Sequence, residues 1–324
     1  MVSRHTRIVE KVQTRLKFRQ LRLLVAVGRH NNIQSAARDL NVSQPAATKM
    51  IQDMELDFEV QLFDRTNRGV IPTEFGKALI RHGQLILAQV ANAAQELDDL
   101  NDGSSGRVVV GSLLAASPWI LPKAIERLLA ERPNVMIKVV EGTNDALMPA
   151  LRTGEIDMVV GRLPVSRHRD GTAQQKLFDE SIVAVVGSHH PLAETKDLSF
   201  EQLKDYGWIL PPPETSLRRR VDGFFISQDV ASPAVSLESV SYLANRALLQ
   251  TQPLISLMPS HVPEQDVAQG NLAILDWEVP FGSGPVGVSY NAKARLSPAA
   301  QALLRALQDI AVDAQSSIVD KDGQ

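Results

Sequence analysis

The spacing of apolar residues predicts three short helices near the start of the chain. Apolar side chains recur with helical periodicity in residues 21–27 and again in residues 33–40. Ser43 follows as a candidate N-cap, and Pro45 stands in the first turn of a third helix, where its missing N–H is tolerated. This third helix is predicted to continue through Leu56, with an apolar inner face and a polar outer face.

A small hairpin and a long helix are predicted next. Residues 62–72 contain the turn sequence Asn67-Arg68-Gly69 between two short strands, and Thr73 is the expected cap of a helix that runs to about Leu100. Apolar residues repeat along this helix every seven positions, with a second set four residues after the first, as in helices that pair with another helix. The residues expected to face a partner chain are Leu79, Ile86, Val90, Ala93, Leu97 and Leu100. Alternatively, the helix packs only on its own domain.

The remainder of the chain alternates between strands and helices. Residues 101–106 are a linker rich in Asn, Asp, Gly and Ser. The segments after it predict α/β organisation with a mostly parallel sheet, and a second such unit begins near residue 182. A final helix is expected over residues 299–311, before a polar tail.

The pattern therefore predicts an α/β protein whose N-terminal domain is rich in α-helix. The first expected parts are a basic N-terminal extension at 1–16, a helical domain at 17–73 and a long linker helix at 74–101. An α/β domain follows at 102–315, with one subdomain formed by 106–178 and 284–315 and the other by 179–283. Residues 316–324 are expected to be disordered.

Composition and charge narrow the choice of partner. The 324 residues include no cysteine, which excludes a disulfide framework, a thiolate metal site and a cysteine nucleophile. Residues 1–72 carry 12 Lys and Arg against 7 Asp and Glu, whereas the remaining residues carry 22 against 30. A basic N-terminal segment on an acidic body favours an anionic partner at one end of the chain, although a merely solvated basic surface is the alternative.

The sequence also bears on location. No apolar run approaches the length of a membrane span, which is about 18 residues. Residues 1–17 mix basic residues with isolated apolar ones and lack the apolar core of a secretion signal. We therefore expect a cytoplasmic protein with no membrane partner.

The second and third predicted helices fit a helix-turn-helix, which inserts its second helix into the major groove of DNA. Glutamine can bond a base edge there, threonine can touch a thymine methyl, and lysine can reach guanine or phosphate. Arginines on the hairpin are placed to reach the minor groove or the backbone. The candidate DNA-binding residues are Gln34, Ser35, Ser43, Gln44, Pro45, Thr48, Lys49, Arg65 and Arg68.

Five motifs in this part of the chain resemble those of the LysR-type transcriptional regulators, in the order and at the spacing of that family. They are Phe18-Arg19-Gln20-Leu21, Gln34-Ser35-Ala36-Ala37-Arg38-Asp39-Leu40, Asn41-Val42-Ser43-Gln44-Pro45-Ala46, Leu62-Phe63-Asp64-Arg65 and Pro72-Thr73-Glu74-Phe75-Gly76. A weaker resemblance continues to about residue 311. Two features depart from the family pattern: the basic extension, which could prolong the first helix, and Thr73-Glu74-Phe75-Gly76 in place of the commoner Thr-Pro-Ala-Gly.

The resemblance implies a winged helix-turn-helix, a linker helix and two α/β subdomains of periplasmic-binding-protein type II-like architecture. It also implies a homodimer or homotetramer that binds double-stranded promoter DNA, responds to a small-molecule effector and contacts RNA polymerase. It implies no enzyme activity, no cofactor and no metal.

The effector is expected in the cleft between the two subdomains. Strand ends and helix N-termini that face such a cleft are suited to bind it, and an arginine at a strand end suits a carboxylate. The candidate effector-binding residues are Ser112, Thr143, Gly161, Arg162, Thr215, Ser216 and Ser239. The simpler interpretations are that the hydroxyls only cap helices and that Arg162 forms a surface ion pair.

Other polar clusters give weaker signals. His189 and His190 are adjacent and point in different directions, and the run Arg218-Arg219-Arg220 spreads around a helix. The sequence contains no phosphate loop, nucleophile elbow, zinc-binding HExxH helix or dinucleotide fingerprint. Two alternatives stay open: a solute-binding protein of a transporter, which would carry a secretion signal, and an enzyme with an appended DNA-binding module, which would turn over its ligand.

Overall fold

The computed structural model describes residues 11–12, 14–67, 69–102, 105–164, 170–280 and 283–322. The chain divides into two compact units. The first comprises Met1–Asn92 with Thr153–Glu155, and the second comprises Ala93–Arg152 with Ile156–Gln324. Each unit is described by itself.

The first unit begins with three helices and a hairpin. In chain order, the elements are α1 (Phe18–His30), α2 (Ile33–Asp39), α3 (Gln44–Phe58), β1 (Phe63–Thr66), β2 (Gly69–Pro72) and α4 (Glu74–Asp102). Their core is built from side chains with almost no solvent exposure, among them Leu23, Leu24, Ala36, Ala47 and Met54. The apolar periodicity identifies these elements because only one face of each helix is buried.

Short polar residues set the ends of the helices. Asn31 adopts the left-handed conformation (φ 49°) and ends α1, and the side chain of Asn32 then caps α2 by accepting a bond from the Ser35 N–H at 3.0 Å. Ser43 caps α3, as the sequence predicts, by accepting a bond from the Ala46 N–H at 3.4 Å. These caps satisfy N–H groups that a helix start leaves without partners.

The hairpin is fixed to the end of α1 by its backbone. The Val70 N–H donates to the Asn31 carbonyl at 2.9 Å. Gly69, the residue before it, has φ +141°, and a Cβ at this position would lie 2.4 Å from the same carbonyl oxygen. Only glycine fits there, because any side chain would meet backbone that cannot move aside.

The basic extension does not prolong α1. Helical turns at residues 11–12 and 14–15 are followed by extended backbone at Lys17 (φ −96°, ψ 145°), where a new helix starts. Lys11 and Arg15 instead form ion pairs with Glu59, at 2.9 Å, and Asp57, at 3.1 Å, both near the end of α3. The described part of the extension therefore lies on the end of α3.

The second unit contains two five-stranded sheets with helices. In chain order, its elements are β3 (Ser105–Ser112), α5 (Ile120–Glu131), β4 (Asn134–Glu141), α6 (Asn144–Thr153), β5 (Met158–Arg162), β6 (Thr172–Glu180), β7 (Ile182–Gly187), α7 (Phe200–Leu203), β8 (Gly207–Leu210), α8 (Ser216–Ser227), β9 (Val235–Glu238), α9 (Tyr242–Leu249), β10 (Leu254–Pro259), α10 (Glu264–Ala268), β11 (Leu272–Ile274), β12 (Gly284–Asn291) and α11 (Pro298–Asp322).

We call the two sheets, with their helices, the first and second lobes. The first lobe has strand order β4-β3-β5-β12-β6, and the second has β11-β7-β10-β8-β9. Both sheets are mixed, which corrects the expectation of a mostly parallel sheet. In the first lobe β12 runs antiparallel to β5 and β6, and in the second lobe β7 runs antiparallel to β10 and β11. Apolar runs give no information on strand direction, so the sequence could not show this.

Two boundaries in this unit differ from the expected ones. Strand β6 extends to Glu180, because Asp179 and Glu180 still pair with β12, so these two residues belong to the first lobe and not to a subdomain that starts at residue 179. The sequence also predicts a disordered tail at 316–324, but α11 continues to Asp322. Residues 299–322 contain no glycine or proline that would end this helix earlier.

Each lobe has its own apolar core. In the first lobe, α5 and α11 cover the sheet with the buried side chains of Leu128, Leu303 and Leu307. In the second lobe, Trp208 and Phe225 are buried, and the indole N–H of Trp208 donates to the Leu203 carbonyl at 3.2 Å. The lobes therefore form as separate cores, with room for a ligand site where they meet.

Gly76 in the first turn of α4 provides a test of this packing. A Cβ at Gly76 would lie 2.0 Å from the Leu62 carbonyl oxygen, which is backbone. We expect Gly76→Ala to lower the free energy of unfolding by about 1–3 kcal/mol, the usual cost of overpacking. Gly223→Ala in α8 is the control: nothing lies within 4 Å of its Cβ. Because alanine favours helix, this control should stabilise the protein by up to about 1 kcal/mol. Urea unfolding followed by circular dichroism measures both, and a Gly76→Ala variant as stable as the parent would contradict the packing.

Candidate functional site

The start of α3 presents its polar residues to solvent. Ser43, Gln44, Pro45 and Lys49 are exposed, and Thr48 is half-buried. The opposite face of the helix carries the buried side chains of Ala47, Ile51, Met54 and Phe58. The helix therefore packs on its own domain with one side and leaves the other side, including its N-terminus, available to a partner.

The neighbouring candidates lie on α2 and on the hairpin. Gln34 is exposed and Ser35 is half-buried at the start of α2, and Arg65 is exposed on β1. Arg68 lies outside the described residues. Within the described part of this domain, neither Lys49 nor Arg65 forms an ion pair with an acidic side chain, so both charges stay available to an anion.

The apolar stripe of α4 divides into two parts. Leu79 packs on the core of its own domain, and a Cβ at Gly83 would lie 3.1 Å from Leu21. Leu79 is half-buried by its own domain, and the contact of its exposed part with a partner chain stays a prediction. Further along, Ile86, Val90 and Leu97 are 43%, 46% and 66% exposed.

The two remaining residues of the stripe are Ala93 and Leu100. Ala93 is exposed on the same helix. Leu100 lies within α4, and its side chain is outside the described part. A row of exposed apolar side chains on one helix is typical of a surface that another protein surface covers.

A cavity of about 540 Å³ lies between the two lobes of the second unit. Six of the seven candidate effector residues line it: Ser112, Thr143, Arg162, Thr215, Ser216 and Ser239. Gly161 is not among the lining residues. A Cβ at this position (φ +145°) would lie 2.6 Å from the Leu113 Cβ, and Leu113 itself lines the cavity. The glycine therefore allows close packing behind the wall of the cavity and does not face a ligand.

Several of the lining hydroxyls already have partners. Thr215 caps α8 by accepting a bond from the Arg218 N–H at 3.3 Å, and its own hydroxyl donates to the Pro212 carbonyl at 2.8 Å. The hydroxyls of Ser112 and Ser117 lie 2.9 Å apart, and Ser239 accepts a bond from the Ser241 N–H at 3.1 Å. The capping interpretation therefore holds for Thr215, and a ligand would share these hydroxyls with protein groups.

Arg162 at the end of β5 is largely buried, with 12% of its side chain exposed, and its partner Glu180 is almost fully buried, so the pair is not a surface ion pair. The Arg162 Nη2 donates weakly to the Glu180 carbonyl at 3.4 Å and to the Glu180 carboxylate at 3.5 Å. Its Nη1 is buried and has no hydrogen-bond partner within the described residues. Burial lowers the pKa of Arg162, while the opposite charge of Glu180 acts against this shift. The site therefore holds a cation whose hydrogen bonds are incomplete.

A histidine connects this pair to the other lobe. His261 follows β10 in the second lobe, and its Nδ1 lies 2.7 Å from the Glu180 carboxylate. Its Nε2 donates to the Ala115 carbonyl in the first lobe at 2.8 Å. The imidazole packs edge-on against both Trp119 and Phe178, with ring centroids 5.9 and 6.2 Å away, and these two rings also contact each other.

Sequence reasoning missed two polar residues of the cavity. Asn144 and Asn245 line it, one at the start of α6 and one within α9, and both are buried. Asn245 is a polar residue in the mostly apolar helix Tyr242–Leu249, a signal that was available in the sequence. Asn144 directly follows the candidate Thr143 and gave no separate signal.

No group of three or more His, Cys, Asp or Glu side chains in the described part is arranged to hold a metal ion. Among the helices described, none is both long and apolar enough to span a membrane.

Comparison with known proteins identifies both units. A family model for the LysR substrate binding domain matches residues 101–311. A second model, for the bacterial regulatory helix-turn-helix protein of the lysR family, matches residues 18–77. The chain belongs to the LysR family of transcriptional regulators. It is therefore a DNA-binding regulator with an effector-binding domain, and not an enzyme.

Its relatives match along nearly the whole chain. The chain is 33% identical over 300 residues to the HTH-type transcriptional regulator PcaQ of Agrobacterium fabrum, covering 93% of this chain and 96% of the relative. It is also 33% identical over 300 residues to the regulator GbpR of Azospirillum brasilense, covering 92% and 87%.

Solved structures of LysR regulators share the fold. Full-length OxyR from Pseudomonas aeruginosa aligns with a TM-score of 0.65 at 21% identity, covering 90% of this chain and 95% of that one. CbnR, solved in complex with its target DNA, aligns with a TM-score of 0.62 at 20% identity, covering 91% and 99%. These two likenesses support the architecture of the LysR fold in this chain.

The exposed start of α3 gives a prediction about DNA binding by this LysR regulator. We expect Gln44→Ala to reduce discrimination between operator and random DNA by about 1–3 kcal/mol, as for a lost base contact. Arg65→Ala should weaken binding to both DNAs and flatten the salt dependence, because it removes a phosphate contact. Gln265→Ala, the same change at an exposed position of α10 in the second unit, is the control and should bind like the parent. Gel shifts at several salt concentrations measure these effects; if Gln44→Ala and Arg65→Ala both bind like the parent, this face does not contact DNA.

Proposed function

We propose that this regulator binds promoter DNA through α3 and the hairpin, assembles through α4 and responds to a small anionic effector in the cavity between the lobes. The buried, incompletely bonded guanidinium of Arg162 carries the proposal for the effector. RNA polymerase is the expected further partner, because a regulator at a promoter acts on the enzyme that transcribes from it.

The exposed side of α3 supports the DNA-binding part. Gln44 and Lys49 are exposed beside the N-terminus of the helix, and an N-terminus favours phosphate through its N–H groups and dipole. The excess of basic residues in positions 1–72 acts in the same direction, because it attracts a polyanion.

The exposed stripe of α4 supports assembly into a homodimer or homotetramer. Ile86, Val90, Ala93 and Leu97 would leave water if two copies of the helix packed together. Burial of such apolar surface contributes about 25 cal/mol per Å² of area removed from water. A symmetric pair would present two α3 helices, which matches operators with two-fold symmetry.

Arg162 supports an anion as effector. A buried cation without enough hydrogen bonds is costly, and a carboxylate bound to it replaces the missing acceptors with a charge-assisted pair. The cavity volume of about 540 Å³ falls within the usual range for small-molecule sites, roughly 300–1,000 Å³. Since residues of both lobes line the cavity, a ligand bound to both would favour one arrangement of the lobes over others.

Assembly through α4 is tested by a charge in the stripe. We expect Ile86→Glu to give smaller species at micromolar concentration, because a carboxylate cannot be buried between paired helices without a partner. Ala91→Glu adds the same charge at an exposed position of α4 outside the stripe and should leave the mass unchanged. Light scattering with size exclusion measures the mass, and identical mass distributions for Ile86→Glu and the parent would show that this helix face is not the interface.

The anionic effector is tested at Arg162. A thermal-shift screen of small carboxylates provides a ligand, and calorimetry then compares the variants. Arg162→Ala should weaken binding by about 1.5–3 kcal/mol, the range for a hydrogen bond to a charged group. Thr143→Val should cost less, because it removes only a neutral partner. DNA binding without effector is the control and should be unchanged in both variants. A neutral effector, or unaltered affinity in Arg162→Ala, would refute the anion proposal.

A further inference from the structure

Two buried amide side chains line the same cavity with unsatisfied polar atoms. Asn144 in the first lobe is 8% exposed and Asn245 in the second lobe is 4% exposed. The Oδ1 atom of each is buried and has no hydrogen-bond partner within the described residues. Native proteins rarely leave such atoms without a partner, so each needs an explanation. Both residues line a ligand-sized cavity, so a ligand bound there, with a small turn of each amide, is the candidate for that partner.

The orientation of Asn144 decides what that partner must offer. Its Nδ2 donates one hydrogen bond to the Arg162 carbonyl at 3.5 Å, which sets the amide nitrogen on that side. Its Oδ1 is therefore an acceptor that requires a donor. A carboxylate only accepts hydrogen bonds, so the group that binds Arg162 cannot also satisfy Asn144.

Asn245 leads to the same chemistry. An amide presents an oxygen or an NH₂ group, depending on which way it is turned, and a hydroxyl is a partner for both because it donates and accepts. An ammonium group only donates, and moving its charge from water into a largely apolar cavity carries a large penalty. A neutral hydroxyl is therefore the better match.

The remaining residues that line the cavity indicate that the body of the ligand is apolar. Apolar side chains from both lobes line the cavity, among them Leu113, Ile182, Ile209, Leu217 and Leu257. These surfaces favour a hydrocarbon or aromatic body over a polyhydroxylated chain, whose many polar groups would lose their bonds to water.

We propose that the effector is a hydroxylated carboxylic acid with an apolar body, whose carboxylate binds Arg162 and whose hydroxyl group bonds the amides of Asn144 and Asn245. This rests on the anionic effector proposed above and adds the hydroxyl and the apolar body. The two amides are then the residues that distinguish the effector from the same acid without the hydroxyl.

The experiment measures binding to the full-length protein by calorimetry. The probes are 3- and 4-hydroxybenzoate, benzoate as the acid without a hydroxyl, and 4-hydroxybenzyl alcohol as the neutral hydroxylated compound. We expect at least one hydroxybenzoate to bind about tenfold or more tightly than benzoate, because benzoate leaves buried amide groups unpaired. The alcohol should bind more weakly than the acid with the hydroxyl at the same position.

Variants of similar shape identify the residues responsible. Asn245→Leu and Asn144→Leu should bring the ratio of hydroxybenzoate to benzoate affinity close to one, because hydroxybenzoate loses more affinity than benzoate does. Both variants should unfold without ligand at the same temperature as the parent or above it, because leucine removes an unsatisfied buried group. A purely structural role would lower that temperature and leave the affinity ratio unchanged.

The other outcomes distinguish a failure of this inference from a failure of the anionic-effector proposal on which it rests. Equal affinities for benzoate and both hydroxybenzoates would overturn the proposal that the effector carries a hydroxyl group, but not the proposal that it is an anion. If the alcohol binds as tightly as the acid, the effector needs no carboxylate, and the proposed role of Arg162 in binding it is refuted. Absence of binding by all four compounds would overturn the class of ligand named here.

Discussion

The effector domain depends on how it accommodates one buried charge, the guanidinium of Arg162. A charge taken out of water must find opposite charge or hydrogen bonds, or it destabilises the fold. Glu180 supplies part of this through two long contacts, of 3.4 and 3.5 Å, and it is itself almost completely buried. A Cβ at Gly284 would lie 2.1 Å from Nη1 of Arg162, so a larger residue here would require the guanidinium to move.

The same group of residues joins the two lobes. Glu180 ends the last strand before the chain enters the second lobe, and His261 returns from that lobe to contact Glu180 and the Ala115 carbonyl. The Nε2 atom of His261 faces a carbonyl, which only accepts, so this nitrogen carries a hydrogen. Glu180 therefore contacts both Arg162 and the second lobe. A ligand that binds Arg162 would change the interaction of Arg162 with Glu180, and through it the arrangement of the two lobes.

The sequence predicts local features well because local chemistry determines them. Ser43 caps α3 and Pro45 stands in its first turn, since both residues act on backbone groups within a few positions. The hairpin turn before Gly69 is local in the same way. The interaction of His261 with Ala115 joins residues 146 positions apart, and nothing in the neighbourhood of either residue indicates it. The cavity could be anticipated from Thr143 and Arg162, but the unsatisfied amide of Asn245 emerges only from three-dimensional packing.

The heptad pattern of α4 covers two kinds of packing surface, one on its own domain and one that is exposed. Leu79 and Gly83 lie against the first domain, and the apolar positions one and two turns later are exposed. The apolar stripe is continuous in sequence, but the domain beneath it covers only its first part, because Gly83 already lies against Leu21, close to the start of α1 at Phe18. The uncovered part carries apolar side chains that are unfavourable in water, so their stability depends on a second protein surface. In the proposed dimer, this helix would connect the DNA-binding domain to the partner that covers the stripe, so a change at that surface would alter the spacing of the two α3 helices.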